Sequence, residues 1–187
     1  GNASQRHAGE TKAAPAPPIV ADGGRKIAIN LRGTVGGGKS STRAELVTFF
    51  TKLGYKVHVG SPDDINKRGR NPRAGDIVRD DIYKAMGQPG NVVIIIDTCG
   101  ERAGAPFGIH FSAPWELFHI TPNFPWKTTF CSDYTKQLTP QQYCSAATSS
   151  ADIKDYSKRA LTAVLARGPS SAHTPYWLNK HGAGDAT

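Results

Sequence analysis

One stretch limits what this chain can fold into more than any other: Lys26-Ile27-Ala28-Ile29-Asn30-Leu31-Arg32-Gly33-Thr34-Val35-Gly36-Gly37-Gly38-Lys39-Ser40-Ser41. It reads as an apolar strand, a glycine-rich turn and a helix start. From Gly33 to Ser40 it matches G-x-x-x-x-G-K-[ST], the phosphate-binding loop (P-loop). The chemistry of a triphosphate explains these residue types. Gly33, Gly36, Gly37 and Gly38 let the backbone curl so that successive N–H groups of the loop, those of Thr34 and Val35 included, point inward. The helix that follows adds its free N–H groups and the positive end of its dipole. Lys39 is expected to reach the β- and γ-phosphates. Ser40 is expected to place its hydroxyl on Mg²⁺, with Ser41 completing the nucleotide cradle.

The flanks fit this reading. Ile27 to Leu31 is a short apolar run suited to a buried parallel strand. Thr42 to Leu53 has helical spacing, with Leu46, Phe49, Phe50 and Leu53 expected on one face. Gly54 stands where a helix-ending glycine is expected. Further on, Tyr55 to Val59 predicts a second strand, closed by Gly60-Ser61-Pro62-Asp63-Asp64 as a turn. Ile65 to Gly75 is basic and irregular, and Asp76 to Met86 predicts a second helix with Ile77, Ile82 or Tyr83, and Met86 inward. Asn91 to Asp97 is the most apolar strand, and Trp115 to Thr121 a fourth. Thr139-Pro140 marks a helix start, and Asp152 to Arg167 predicts a late helix stopped by Gly168-Pro169, with Ile153, Tyr156, Leu161, Val164 and Leu165 inward.

Strands alternating with helices imply an α/β fold of P-loop kinase-like type, a mainly parallel sheet with helices on both faces. The 187 residues suffice for one such domain, expected over 25–180, between a disordered leader (1–24) and a frayed tail (181–187). The longest apolar run is Val92 to Ile96, so no membrane partner is expected. Cys99, Cys131 and Cys144 are scattered and lack zinc spacing, and are read as reduced thiols of an intracellular, cytoplasmic or nuclear protein. A formal charge of +8 and a pI near 9.5 tilt the choice of partner toward polyanions.

Ligands of such sheets sit beyond the carboxyl ends of the strands. That rule gathers the phosphate loop, Ser61 to Asp64, and Asp97 to Arg102. A GTPase needs a late N-K-x-D motif, and Asn66-Lys67-Arg68-Gly69 is early and lacks the Asp. A compact kinase remains. It needs a carboxylate to orient the acceptor hydroxyl and take its proton, and Asp63 or Asp64 stands in the right place. Asp97 either holds Mg²⁺ or braces the phosphate loop.

Gly33-x-x-Gly36-x-Gly38-Lys39-Ser40, the Asp63-Asp64 pair, Asp97-Thr98 and Glu101-Arg102 together resemble the five-prime-hydroxyl polynucleotide kinases, including the kinase modules of tRNA ligases. The resemblance covers about Lys26 to Arg102 and implies Asp63 as general base, with Asp64 its neighbour on the substrate side. The family's Arg three residues after the base is Asn66 here, so Lys67, Arg68, Arg70, Arg73 and Arg102 are expected to hold the substrate strand. The family's Asp-Thr-Asn is Asp97-Thr98-Cys99. A lid arginine over the triphosphate is expected at Arg167, or at Arg159. Trp126-Lys127 and Tyr176-Trp177 are candidates for stacking on a base.

The sequence therefore predicts a kinase using Mg²⁺ and ATP or GTP. Its acceptor is the five-prime end of a nucleic acid, RNA before DNA, in a domain that suits a larger repair or ligase protein. A small-molecule kinase and a non-catalytic nucleotide-binding module are the alternatives.

Overall fold

The computed structural model describes residues 22–32, 38–67, 69–98, 106–122 and 150–166, and the strands at 176–178 and 184–186. In chain order the elements are β1 (Lys26–Leu31), α1 (Lys39–Lys52), β2 (Lys56–Gly60), α2 (Pro62–Asn66), α3 (Ala74–Met86) and β3 (Val92–Asp97). A 3₁₀ turn (Pro106–Gly108), β4 (Trp115–Ile120), α4 (Ser150–Ala166), β5 (Tyr176–Leu178) and β6 (Gly184–Ala186) follow. The sheet order is β2-β3-β1-β4-β5-β6, parallel throughout except for β6 against β5. The expected mainly parallel α/β architecture is present.

β1, β3 and β4 are buried along their whole length; β3 is apolar up to Asp97, whereas β1 also buries Lys26 and Asn30 and β4 buries Glu116 and His119. Alternation then splits the core in two. Ile27, Ile29, Leu31, Val93, Ile95, Phe118 and Ile120 face Leu46 and Phe50 of α1 and Tyr156, Ala160 and Val164 of α4. Ala28, Val92, Ile94, Ile96, Trp115 and Leu117 face Val78, Ile82, Ala85 and Met86 of α3, with Ile109 and Phe111 closing that layer. Helices thus cover both faces. Gly60 lets α3 approach β2: a Cβ there would lie 3.0 Å from both Val78 Cγ1 and Ile82 Cδ1.

Several local expectations are corrected. The inward stripe of α1 is Thr42, Leu46 and Phe50, an i, i+4, i+8 row. Phe49 flanks it, and Leu53, at the C-cap, is half exposed. In α3 the row runs through Ala74, Val78 and Ile82, leaving Ile77 to the side. Ser61 to Asn66 is no turn: Ser61 takes the N-cap position of α2, Pro62 follows, and Asp63 and Asp64 fill its first turn. Gly184–Ala186, expected in a frayed tail, pairs with β5. The leader up to residue 21 and the helix start at Thr139 lie outside the described residues. Among the described residues no helix is long and apolar enough to cross a membrane.

The direction of α4 matters for the site. Arg25, just before β1, donates to the carbonyls of Val164 at 2.8 Å and Leu165 at 2.9 Å, and pairs with Glu116 at 3.2 Å. The last turn of α4 therefore lies at the amino edge of the sheet, one strand length (about 20 Å) from the carboxyl edge.

Candidate active site

Register brings the first two site elements level. Leu31, the last residue of β1, is the partner of Asp97, the last residue of β3. Asp97 shares the parity of Val93 and Ile95, so its side chain falls on the α1 side of the sheet. There the Ser40 hydroxyl donates to Asp97 Oδ2 at 3.2 Å. Arg43 Nη1 lies 3.3 Å from the same Oδ2 and 3.3 Å from Asp64 Oδ2. Lys67 Nζ is 3.2 Å from Asp64 Oδ1. One guanidinium thus ties α1 and α2 to the end of β3.

The Asp97 side chain is only 8% exposed. Burial pushes its pKa upward; Arg43, the Ser40 hydroxyl and Lys39 pull it back, and the negative charge of Asp63 pushes it up again. Asp63 therefore belongs to the electrostatic environment of Asp97, and Asp64 is linked to it through the shared Arg43. Both acids expected at the tip of β2 stand in the first turn of a helix rather than in a turn, and it is Asp64 that pairs with Arg43.

The start of α1 has the electrostatics of an anion site. Gly38 holds φ at +97°, a conformation suited to glycine, and its carbonyl accepts from Thr42 N–H at 2.9 Å. No acid stands in the first turn, and Lys39, the first helical residue, is buried. A lysine against the positive end of a helix dipole is unfavourable unless an anion joins them. Lys39 and Arg43, four residues apart, share that face.

Arg43 escaped the sequence reading. Its signal was the helical i+4 offset from Lys39, but its partners lie far away in the chain. Other candidates fall elsewhere. Arg70 and Arg73 are exposed, and Arg73 pairs with Asp76 at 3.8 Å. Ser41 is half-buried in the first turn of α1. Arg159 is exposed on α4. Gly33 to Gly37, Arg68, Arg102, Trp126-Lys127 and Arg167 lie outside the described residues. His58 hydrogen-bonds Gln88 at 2.6 Å, and His119 is buried against Asn30 at 3.0 Å, so both serve the fold. Among the described residues no three His, Cys, Asp or Glu side chains cluster as a metal centre. The donor pair Ser40 and Asp97 does offer the hard oxygens Mg²⁺ takes when substrate phosphates and water supply the rest.

No protein-family model matches this sequence, and no curated protein does either. Among solved structures, the chain is similar to one from the characterization of the PezAT chromosomal toxin–antitoxin system of Streptococcus pneumoniae. The identity is 11% and the TM-score 0.39, over 98% of this chain and 80% of that one. A superposition that shallow says nothing about substrate. The coordinates and the motif together define the class: an α/β protein with a mainly parallel sheet and a phosphate-loop sequence after its first strand.

Proposed function

We propose that this protein is a phosphotransferase that moves the γ-phosphoryl of ATP or GTP to the five-prime hydroxyl of a polynucleotide, RNA before DNA. The observation that carries the proposal is the Arg43 cluster, which draws the Asp64 carboxylate of α2 against the Ser40–Asp97 pair at the start of the phosphate-loop helix. Lys39 and the N-terminus of α1 bind the β- and γ-phosphates. Ser40 and Asp97 would hold Mg²⁺, which neutralises charge on the transferring group.

Between the two aspartates the resemblance to the polynucleotide kinases assigns the roles. Asp64 has a cation on each carboxylate oxygen, which suits a holding role. Asp63, in the same helical turn, orients the acceptor hydroxyl and takes its proton. The hydroxyl oxygen forms the new bond to γ-phosphorus as the bridge to the β-phosphate breaks. Lys67, Arg68, Arg70 and Arg73 form the track for the strand's phosphates, with Arg102 beside Asp97 in the chain.

Transfer from a γ-labelled NTP to a five-prime-hydroxyl RNA, to the matching DNA and to a free nucleoside tests this reading. The RNA is expected to be labelled fastest, with binding that weakens steeply as salt rises. Equal labelling of the nucleoside, with little salt dependence, would assign a small-molecule kinase instead. Nucleotide binding with no transfer would leave a non-catalytic module.

A further inference from the structure

Arg43 Nη1 sits at 3.3 Å from two carboxylates that the proposed reaction uses differently: Asp97, toward the metal, and Asp64, toward the acceptor. Both contacts are made by one nitrogen, and Asp97 meets it with the same oxygen that accepts from Ser40. The Asp97 side chain is 8% exposed and the Asp64 side chain 39%. A buried carboxylate needs a counter-charge, and here the chain supplies its own. A cation loaded on Ser40 and Asp97 competes with Arg43 for that oxygen.

We propose that Arg43 is a positioning residue, the resident counter-cation of Asp97, and that Asp64 is the carboxylate that receives it when a divalent metal loads. This rests on the assignment of Ser40 and Asp97 as metal ligands and goes further, because it gives Arg43 and Asp64 defined parts in loading. Before loading, the guanidinium spans both acids and fixes α2 against α1. As Asp97 turns to the metal, Arg43 keeps its bond to Asp64, so the anchoring of α2 beside the site survives. The site never holds an isolated buried carboxylate in one state or an isolated guanidinium in the other.

The handover has a thermodynamic signature that a simple field effect lacks. Removing Arg43 removes the competitor, so metal binds more tightly. Removing Asp64 takes away the receiving group, so metal binds less tightly, but only while Arg43 is present. The experiment titrates Mn²⁺ alone into the full chain and reads free Mn²⁺ by electron paramagnetic resonance. It uses wild type, Arg43→Gln, Asp64→Asn, the double variant and Arg43→Lys. Arg43→Gln is expected to tighten Mn²⁺ binding about fivefold or more, and Asp64→Asn to weaken it by a similar factor. Asp64→Asn placed on Arg43→Gln should change nothing further, and Arg43→Lys should return the affinity toward wild type.

Weaker binding by Arg43→Gln overturns the proposal, and so does an Asp64→Asn effect of equal size in both backgrounds, since that is the simple loss of a carboxylate's attraction for the cation. If Arg43→Gln does not fold, Arg43→Lys replaces it in the same cycle, with a smaller non-additivity expected and strict additivity contradicting. Asp97→Asn separates the levels. Should it bind Mn²⁺ as wild type does, the metal assignment is wrong and this proposal falls with it. Should it lose Mn²⁺ while the cycle is additive, only the handover is wrong.

Discussion

Asp97 is held in the sheet at some cost. Its carboxylate is buried, and burial pushes its pKa up despite Arg43, Ser40 and Lys39. Replacing it by Asn should therefore leave the melting temperature of the free protein unchanged or higher while lowering phosphoryl transfer by at least about a hundredfold. Calorimetry beside single-turnover rates checks both halves. His119 makes a second residue-scale prediction. Burial, with the nearby Arg32 charge, holds its pKa down at about 4 against 6.5 in the open chain. The unfolded chain then binds the proton more readily. Stability is full above pH 6.5 and falls as the pH drops toward 4, by about 3 kcal/mol at most. Denaturation at several pH values should show that slope in wild type, and a His119→Phe variant should lose it. Lys39, Ser40, Asp63 and Asp97 were legible because a motif or a strand end marks them. Arg43 was not, since its partners come from α2 and β3, and no local spacing encodes an ion pair across elements.

At the scale of elements, the amino edge of the sheet works as a clasp. Arg25 satisfies two carbonyls in the last turn of α4 and pairs with Glu116, which is 7% exposed. Arg25→Ala leaves all three without that partner and should destabilise the fold by about 3 kcal/mol while sparing single-turnover transfer at low temperature. Chemical denaturation measures the first and quench-flow the second. The elements easiest to read from sequence were β1, β3, β4 and α4. Strands buried on both faces are rich in apolar residues, and a long amphipathic helix repeats its pattern over several turns. α2 was missed because Pro72, Gly69 and the basic run after it read as loop, although Ser61-Pro62 followed by two acids is a helix-start signature. β5 and β6 have three residues each, too few to show alternation, and pairing partners decide them.

Across the whole molecule, structure and chemistry separate to opposite edges of one sheet. Lys26, Arg25 and Glu116 knit the amino edge, while Ser40, Arg43, Asp63, Asp64 and Asp97 gather at the carboxyl edge. The positive charge of the chain, +8 overall, includes the exposed run after α2. If that run tracks a strand, replacing Arg70 and Arg73 by Gln should lower the salt slope of RNA binding by about two, with little effect on nucleotide affinity. Fluorescence anisotropy across a salt series reads this directly.

The proposed reaction turns on the carboxylate of Asp63 taking the proton from an acceptor hydroxyl. Single-turnover transfer from a γ-labelled NTP to a five-prime-hydroxyl RNA, compared for wild type, Asp63→Asn and Asp64→Asn at equal nucleotide occupancy, tests it most directly. Asp63→Asn is predicted to slow the chemical step by about a hundredfold to ten-thousandfold, and Asp64→Asn by much less. Transfer by Asp63→Asn at the wild-type rate would contradict the account.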